Sequence, residues 1–332
     1  MARVLITHNN DLLVNFYSLE AVEQLREFCE VRLNGTDRPL AGADLVKAAE
    51  DCDIVISDRL AAGTPEVFDG LPDLVAFLRC AVDIRNVDIE AASRNGTLVA
   101  RNSAGYTEAV AEVAMGLAIT LARRMHIGDR LYKEGQAHQP MIIGRQLAGA
   151  TIGIIGYGAI GRRIADLAIA FGMRVLAYDP YVRIVNGCVH QVDLDTVLGE
   201  PHFVVCAAYA TPETERMMNA SAFAKMRKDA YFINISRGIL VDEDALEEAL
   251  LTGSIAGAGL DVGLGPDQQP SLKLASLPNV VAVPHVAGLT REATDHQAFE
   301  TVRQVRDIIG GKVPIHAVNA HRATRLKRLV GA

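Results

Sequence analysis

The chain has 332 residues, half of them hydrophobic and 22% charged, enough to bury the cores of two ordinary domains and too apolar for a disordered chain. Its formal charge of −7 argues against a large nucleic-acid surface, and no uninterrupted apolar stretch nears the roughly 18 residues of a membrane span. Five cysteines (Cys29, Cys52, Cys80, Cys188 and Cys206) lack C-x-x-C spacing and read mostly as buried thiols of a reducing compartment; with no signal peptide, the cytosol is expected.

In chain order, residues 3–8 read as a short buried strand, followed by helical spacing around Leu19, Val22 and Leu25 and a strand at 31–33. A helix near 43–50 precedes a strand at 54–57. An apolar run at 74–80 leads to a helix at 87–95, a stop at Gly96 and a strand at 97–100. Strand and helix thus alternate at α/β spacing. A long helical segment spans 107–125, with Glu108 and Glu112 early and Arg123 and Arg124 late, matching the helix dipole. Beyond it, strands are expected at 203–208, 230–235, 255–262 and 280–284. Asp242 is placed to cap a helix at 243–251 that Gly253 ends, and a last helix runs from Thr290 to about Ile309. The basic tail (Arg322, Arg325, Lys327, Arg328) reads as a solvated terminal helix.

Residues 151–179 carry the most information. An apolar strand enters Gly156-Tyr157-Gly158-Ala159-Ile160-Gly161, a helix with Ile164, Leu167, Ala168 and Phe171 on one face follows, Gly172 stops it, and a second strand ends at Asp179. This is the dinucleotide-binding fingerprint in its full context. Gly156 permits the tight turn, Gly158 lets backbone approach a pyrophosphate, and Gly161 lets the helix pack close to the sheet. The helix N-terminus offers N–H groups to phosphate. Asp179 can bond a ribose 2′-OH and would repel a 2′-phosphate, so NAD is favoured over NADP.

Three later strand ends each deliver a polar residue: Arg237 in Ile235-Ser236-Arg237-Gly238, Asp261 after Gly259-Leu260, and His285 in Pro284-His285-Val286-Ala287-Gly288. Singly, these read as a surface ion-pair partner, a turn residue and a core histidine. Jointly they occupy the carboxyl edge of one parallel sheet, where ligands bind. A guanidinium there suits a planar carboxylate, and an imidazole can carry the proton that accompanies hydride transfer. His8, His126, His138, His190, His202, His296, His316 and His321 show no such placement and no metal-ligand spacing, so no metal is expected.

The fingerprint with Asp179, together with FINISRGILVDEDAL (232–246), AGAGLDV (256–262), LPNVVAVPHVAGLT (277–290) and softer motifs at 100–118 and 210–227, resembles the D-isomer-specific 2-hydroxyacid dehydrogenases over nearly the whole chain. The resemblance implies an α/β fold of two doubly wound parallel-sheet domains around a cleft, a Rossmann NAD domain at 104–296 and a flavodoxin-like, discontinuous substrate domain at 1–103 and 297–332. The long helices near 107–125 and 290–309 would form the hinge, and a homodimer would form through the NAD domain. It further implies that Arg237 binds and polarises a 2-oxo acid, His285 is the acid/base and Asp261 holds the nicotinamide amide. Ala159, Ile160 and Asp179 would hold pyrophosphate and ribose, with Ile235, Ala287 and Gly288 lining the nicotinamide pocket. The reaction expected is hydride transfer between NAD and a small D-2-hydroxy or 2-oxo acid.

Two departures stand out. Where the family usually pairs its catalytic histidine with a glutamate, this chain has Pro266; Asp267 or Gln268 could take over, or nothing could. Without a carboxylate partner, reduction is expected to weaken at neutral pH and to shift its optimum to the acid side. In the substrate loop, Ala81-Val82-Asp83-Ile84-Arg85-Asn86-Val87-Asp88, Asp83 stands where glycine is usual. It would repel a bound carboxylate unless Arg85 offsets it or it turns to solvent; it could also accept hydrogen bonds from substrate. These departures leave two further readings: a dehydrogenase of a non-standard substrate, and an NAD(H)-sensing protein with decayed catalysis.

Overall fold

The structure is a computed structural model and describes residues 1–136 and 143–329; His138 lies outside the described residues. The chain divides into two compact units, Met1–Gly105 with Thr290–Ala332, and Tyr106–Leu289. The join expected at 296/297 would fall inside the helix Arg291–Ile309. That helix instead belongs to the first unit, where Ala298, Val302, Val305 and Ile308 enter the core beside Val4, Ile54 and Leu78.

The first unit is built on β1 (Arg3–Ile6), β2 (Glu30–Leu33), β3 (Ile54–Ser57), β4 (Ala76–Arg79) and β5 (Leu98–Arg101), in the order β2-β1-β3-β4-β5. All pairings are parallel. β3 and β4 are buried end to end, as strands covered on both faces must be, which explains their unbroken apolar runs. The strand order reverses between β1 and β3. The basic tail is not a solvated helix. It forms 3-10 turns at Ala320–Arg322 and Thr324–Arg328, with Arg322 paired to Glu90 (2.8 Å) and Arg328 to Asp73 (2.7 Å). Arg325 donates to the carbonyls of Leu71 and Leu74.

His8 follows β1 and is 4% exposed, its ring tilted against Tyr17. Burial pushes its pKa down from 6.5 to about 4. The unfolded chain therefore takes up this proton first as pH falls, so His8's contribution to stability is complete above about 6.5 and is lost toward pH 4. Melting of the wild type at pH 7.5 and 4.5 is expected to differ more than that of His8→Asn, by on the order of 3 kcal/mol. Equal pH slopes for the two proteins would contradict this.

The second unit carries β6 (Thr151–Ile155), β7 (Arg174–Tyr178), β8 (Val189–Gln191), β9 (Phe203–Cys206), β10 (Tyr231–Asn234), β11 (Gly257–Leu260) and β12 (Val280–Ala282). Their order is β12-β11-β10-β9-β6-β7-β8, all parallel. This is the doubly wound dinucleotide-binding order with one added strand, and it reverses between β6 and β9. The helix Thr107–Ala122 packs against the β11 side of the sheet. A Cβ on Gly259 would lie 3.0 Å from Leu117 Cβ, so a small strand residue sets the approach. The helix stops at Ala122 rather than at 125. Gly144 crosses its end, where a Cβ would meet the Ala122 carbonyl at 2.4 Å, Arg145 N–H donates to that carbonyl (2.9 Å), and Arg124 turns left-handed (φ 53°). A separate helix, Met125–Lys133, follows and has no buried residue.

Candidate active site

The glycine turn after β6 is built from three different demands. Gly156 has φ 95°, and a Cβ there would lie 2.7 Å from the Ala207 backbone. At Gly161 a Cβ would strike the Gly156 carbonyl at 2.1 Å, which is why helix and turn can touch only through glycine. At Gly158, the N-cap of helix Ala159–Ala170, a Cβ would meet nothing within 4 Å, and no side chain caps the first turn. An open cradle with uncapped helical N–H groups fits a pyrophosphate. Tyr157 turns its ring into the core, with Arg162 lying 5.6 Å over it, so it serves the turn through its backbone. Ala159 is exposed and Ile160 half-buried at the helix start.

Asp179 closes β7. One carboxylate oxygen accepts from Tyr157 N–H (2.8 Å), the other from Tyr181 N–H (2.9 Å) and Val182 N–H (3.0 Å). The acid thus ties the glycine turn to its own strand end. A carboxylate has about four acceptor sites, so room remains for a ribose hydroxyl. The residues present fit NAD.

β10, β11 and β12 are neighbours, and their ends carry the polar set. Past β10, Ile235 is buried and Ser236 Oγ donates to the Ala208 carbonyl (2.6 Å). Asn234, 1% exposed, folds the turn: its Oδ1 accepts from Ser236 N–H and its Nδ2 donates to the Arg237 carbonyl (both 3.1 Å). Arg237 is half-buried and donates from Nη1 to the Ser236 carbonyl (2.7 Å). A Cβ on Gly238 would overlap the Gly263 backbone at 2.1 Å, so the loops after β10 and β11 meet backbone to backbone. Asn234 and Gly263 were not singled out in the sequence; an asparagine three residues before an arginine–glycine pair was the available signal.

Asp261, 2% exposed, positions the next loop. Its Oδ1 accepts from Val286 N–H (2.8 Å) and Ala287 N–H (3.0 Å), and its carbonyl from His285 N–H (3.0 Å). Burial pushes its carboxyl pKa up, opposed by these N–H groups and by His285. His285 is left-handed (φ 56°), and its Nδ1 lies 3.0 Å from the carbonyl oxygen of Asp267. The hydrogen-bond partner shown at Nδ1, where the family usually has a glutamate, is the Asp267 backbone carbonyl. Asp267 (φ 54°) and Gln268 (φ 60°) are both left-handed, an uncommon pair for residues with side chains. A neutral acceptor at Nδ1 fixes that nitrogen as N–H and leaves Nε2 to exchange a proton. Ala287 is buried, and Gly288 admits the Tyr106 Cβ, 3.3 Å from where its own Cβ would be.

In the first unit, the loop after β4 carries Asp83. Arg85 grips it with Nε and Nη2 (3.0 and 2.6 Å) and with its backbone N–H (3.0 Å), so its charge is offset locally. Val82 is half-buried and its carbonyl accepts from Arg101 Nη1 (3.4 Å). Among the described residues, no group of three or more His, Cys, Asp and Glu side chains is placed to hold a metal ion, and no helix is long and apolar enough to cross a membrane.

Comparison with known proteins decides the family. The profile of the D-isomer specific 2-hydroxyacid dehydrogenase NAD binding domain matches residues 115–287. The chain is 32% identical over 312 residues to the hydroxypyruvate reductase of Thermotoga maritima, covering 93% of this chain and 100% of that one. The chain belongs to the D-isomer-specific 2-hydroxyacid dehydrogenases. It is also 31% identical over 323 residues to the D-3-phosphoglycerate dehydrogenase of Synechocystis sp., covering 96% of this chain and spanning 56% of that longer relative. Among solved structures, the D-lactate dehydrogenase of Lactobacillus jensenii with NAD+ superposes with a TM-score of 0.82 at 28% identity, covering 96% of this chain and 99% of that one. The second unit, with its glycine turn and Asp179, is thus the family's NAD-binding domain, and the sensor reading finds no support among these relatives.

Proposed function

We propose that this dehydrogenase interconverts small 2-oxo acids and D-2-hydroxy acids with NAD, the reaction centred on Arg237 and His285. The observation carrying this reading is the run of adjacent strand ends that present Arg237, Asp261 and His285, with the imidazole held at Nδ1 by the Asp267 carbonyl. NAD, when bound along Gly156–Gly161 and Asp179, supplies the hydride acceptor or donor. Arg237 binds the acid through its fork and polarises the carbonyl; His285 Nε2 gives the proton in reduction and receives it in oxidation. Asp261 holds the His285 loop and has Oδ2 left for the nicotinamide amide, with Ile235, Ser236, Ala287 and Gly288 lining that pocket.

NADH consumption across glyoxylate, hydroxypyruvate, pyruvate and longer 2-oxo acids tests this reading, with turnover expected on the small members. Tight NADH binding without turnover on any member would replace the reading with a sensor.

The protein is further proposed to be a cytoplasmic homodimer. Four of five cysteines are buried and all five are free thiols, which suits a reducing compartment. The helix Met125–Lys133 exposes Met125 and Tyr132 and buries nothing of its own, as an interface element would before assembly. Light scattering is expected to give twice the chain mass, and Tyr132→Glu with Met125→Glu to give the monomer.

A further inference from the structure

His285 meets a carbonyl at Nδ1, and a carbonyl can be aimed only by fixing the backbone that carries it. The loop in question, between β11 and the short helix Leu272–Ala275, closes on itself. Gly263 N–H donates to the Gln268 carbonyl (2.8 Å), Gly265 N–H to that of Gln269 (2.9 Å) and Gln269 N–H to that of Pro266 (3.1 Å). A Cβ on Gly263 would lie 2.7 Å from Pro270 Cα, so the two ends of the loop touch. Asp267 stands at the turn, its carbonyl oxygen 3.0 Å from Nδ1. Of six non-glycine residues with left-handed φ among the described residues, three flank this one hydrogen bond: Asp267, Gln268 and His285. Side chains are costly in that conformation, and such strain persists only where the surroundings over-determine it.

The start of the helix Glu243–Leu251 supplies that determination. Glu243, its first residue, is half-buried, and its Oε1 accepts from Leu264 N–H (2.9 Å). A Cβ on Gly263 would lie 3.0 Å from the same oxygen, so the carboxylate is pressed against the loop where it begins. The far end is tied to the same helix, because Lys273 Nζ reaches Asp244 (2.9 Å) and Glu247 (2.6 Å). Asp242 fixes the helix in turn, accepting from Ala245 N–H and pairing with Arg216 (2.6 Å). Of the two ties to the loop, the Lys273 bridge is the weaker, since Asp244 is 87% exposed and water screens it. The Glu243 bond is charge-assisted and acts on the loop backbone itself, close before Asp267. We infer that Glu243 is a positioning residue for His285: by holding Leu264 N–H it keeps the Asp267 carbonyl on Nδ1, and with it the Nδ1–H tautomer that leaves Nε2 to exchange the proton. The inference rests on the reading of His285 as the acid/base and adds the residue that sets its tautomer.

Imidazole nitrogen–proton correlation spectra of the whole chain, labelled with 15N-histidine, read that tautomer directly, and His285→Asn identifies the signal. Wild type is expected to show the Nδ1–H form. Glu243→Met keeps the side chain's length and removes the acceptor, and is expected to give a mixture of both tautomers. Its kcat should fall on the order of ten- to a hundred-fold for a misaimed imidazole, with KM and NADH affinity within about two-fold of wild type. Glu243→Gln keeps an oxygen acceptor and should restore both tautomer and kcat. Glu243→Asp keeps an acid in the helix's first turn but falls a methylene short; it should behave as the methionine variant does, and serves if that variant does not fold. A tautomer unmoved in the methionine and aspartate variants overturns the inference, whatever the rates do. So does a glutamine variant as defective as the methionine one, which would make the charge rather than the acceptor what matters. The spectra need no turnover, so a histidine found idle in catalysis would sink the proposed reaction and leave the tautomer to decide this inference.

Discussion

His285→Asn is expected to lower 2-oxo acid reduction by about 10²–10⁴-fold, the usual worth of a positioned acid/base, while NADH affinity changes by no more than a few-fold. Asparagine is the informative replacement because His285 is left-handed (φ 56°). Asparagine tolerates that conformation, whereas alanine would add backbone strain to the loss of the imidazole. The loop should survive, since Asp261 holds it through the backbone N–H groups of residues 285–287, which the substitution does not touch. Stopped-flow hydride transfer and NADH fluorescence titration separate the two effects. A variant that keeps wild-type rates would remove His285 from the reaction; one that loses NADH binding would make it a structural residue.

The second large effect is at Arg237. Arg237→Lys retains the charge but loses the planar fork, and is expected to cost at least about 3 kcal/mol, or 10² and more in kcat/KM, for two charge-assisted bonds replaced by one poorly aimed contact. Both kcat and KM should suffer if the guanidinium polarises the carbonyl as well as binding the acid. An unchanged kcat with a raised KM would confine its role to binding. The Asn234 and Ser236 bonds that shape this turn run to backbone groups, so the fold should hold.

Much of this site could be read from the chain because its demands are local. A glycine that must turn at φ 95°, a helix that must touch a carbonyl, and an acid that must close a strand each require one residue type at one place, as Gly156, Gly161 and Asp179 show. Caps are legible for the same reason: Asp242 accepts from Ala245 N–H and Thr290 from Ala293 N–H. The rest depended on partners far along the chain. No glycine or proline marks the break at Arg124, which follows from Gly144 crossing the helix end. β8 spans three residues with only Val189 buried, too short for a period to emerge. The tail's arginines looked solvated because Glu90, Asp73 and two backbone carbonyls, far back in the chain, are what hold them. The partner of His285 was illegible in principle. A search for a replacement side chain cannot find a carbonyl, which every residue carries and only backbone geometry aims.

The discontinuity of the first unit has a consequence for biosynthesis. β5 receives backbone bonds from residues near 317, and Asn319 reaches Val99, Ser93 and Thr97. On the ribosome the first hundred residues emerge long before these arrive, so their sheet waits with one flank uncovered while the middle of the chain, contiguous in sequence, can close on its own. The nascent protein should therefore depend on a holding chaperone until residues 316–319 are released.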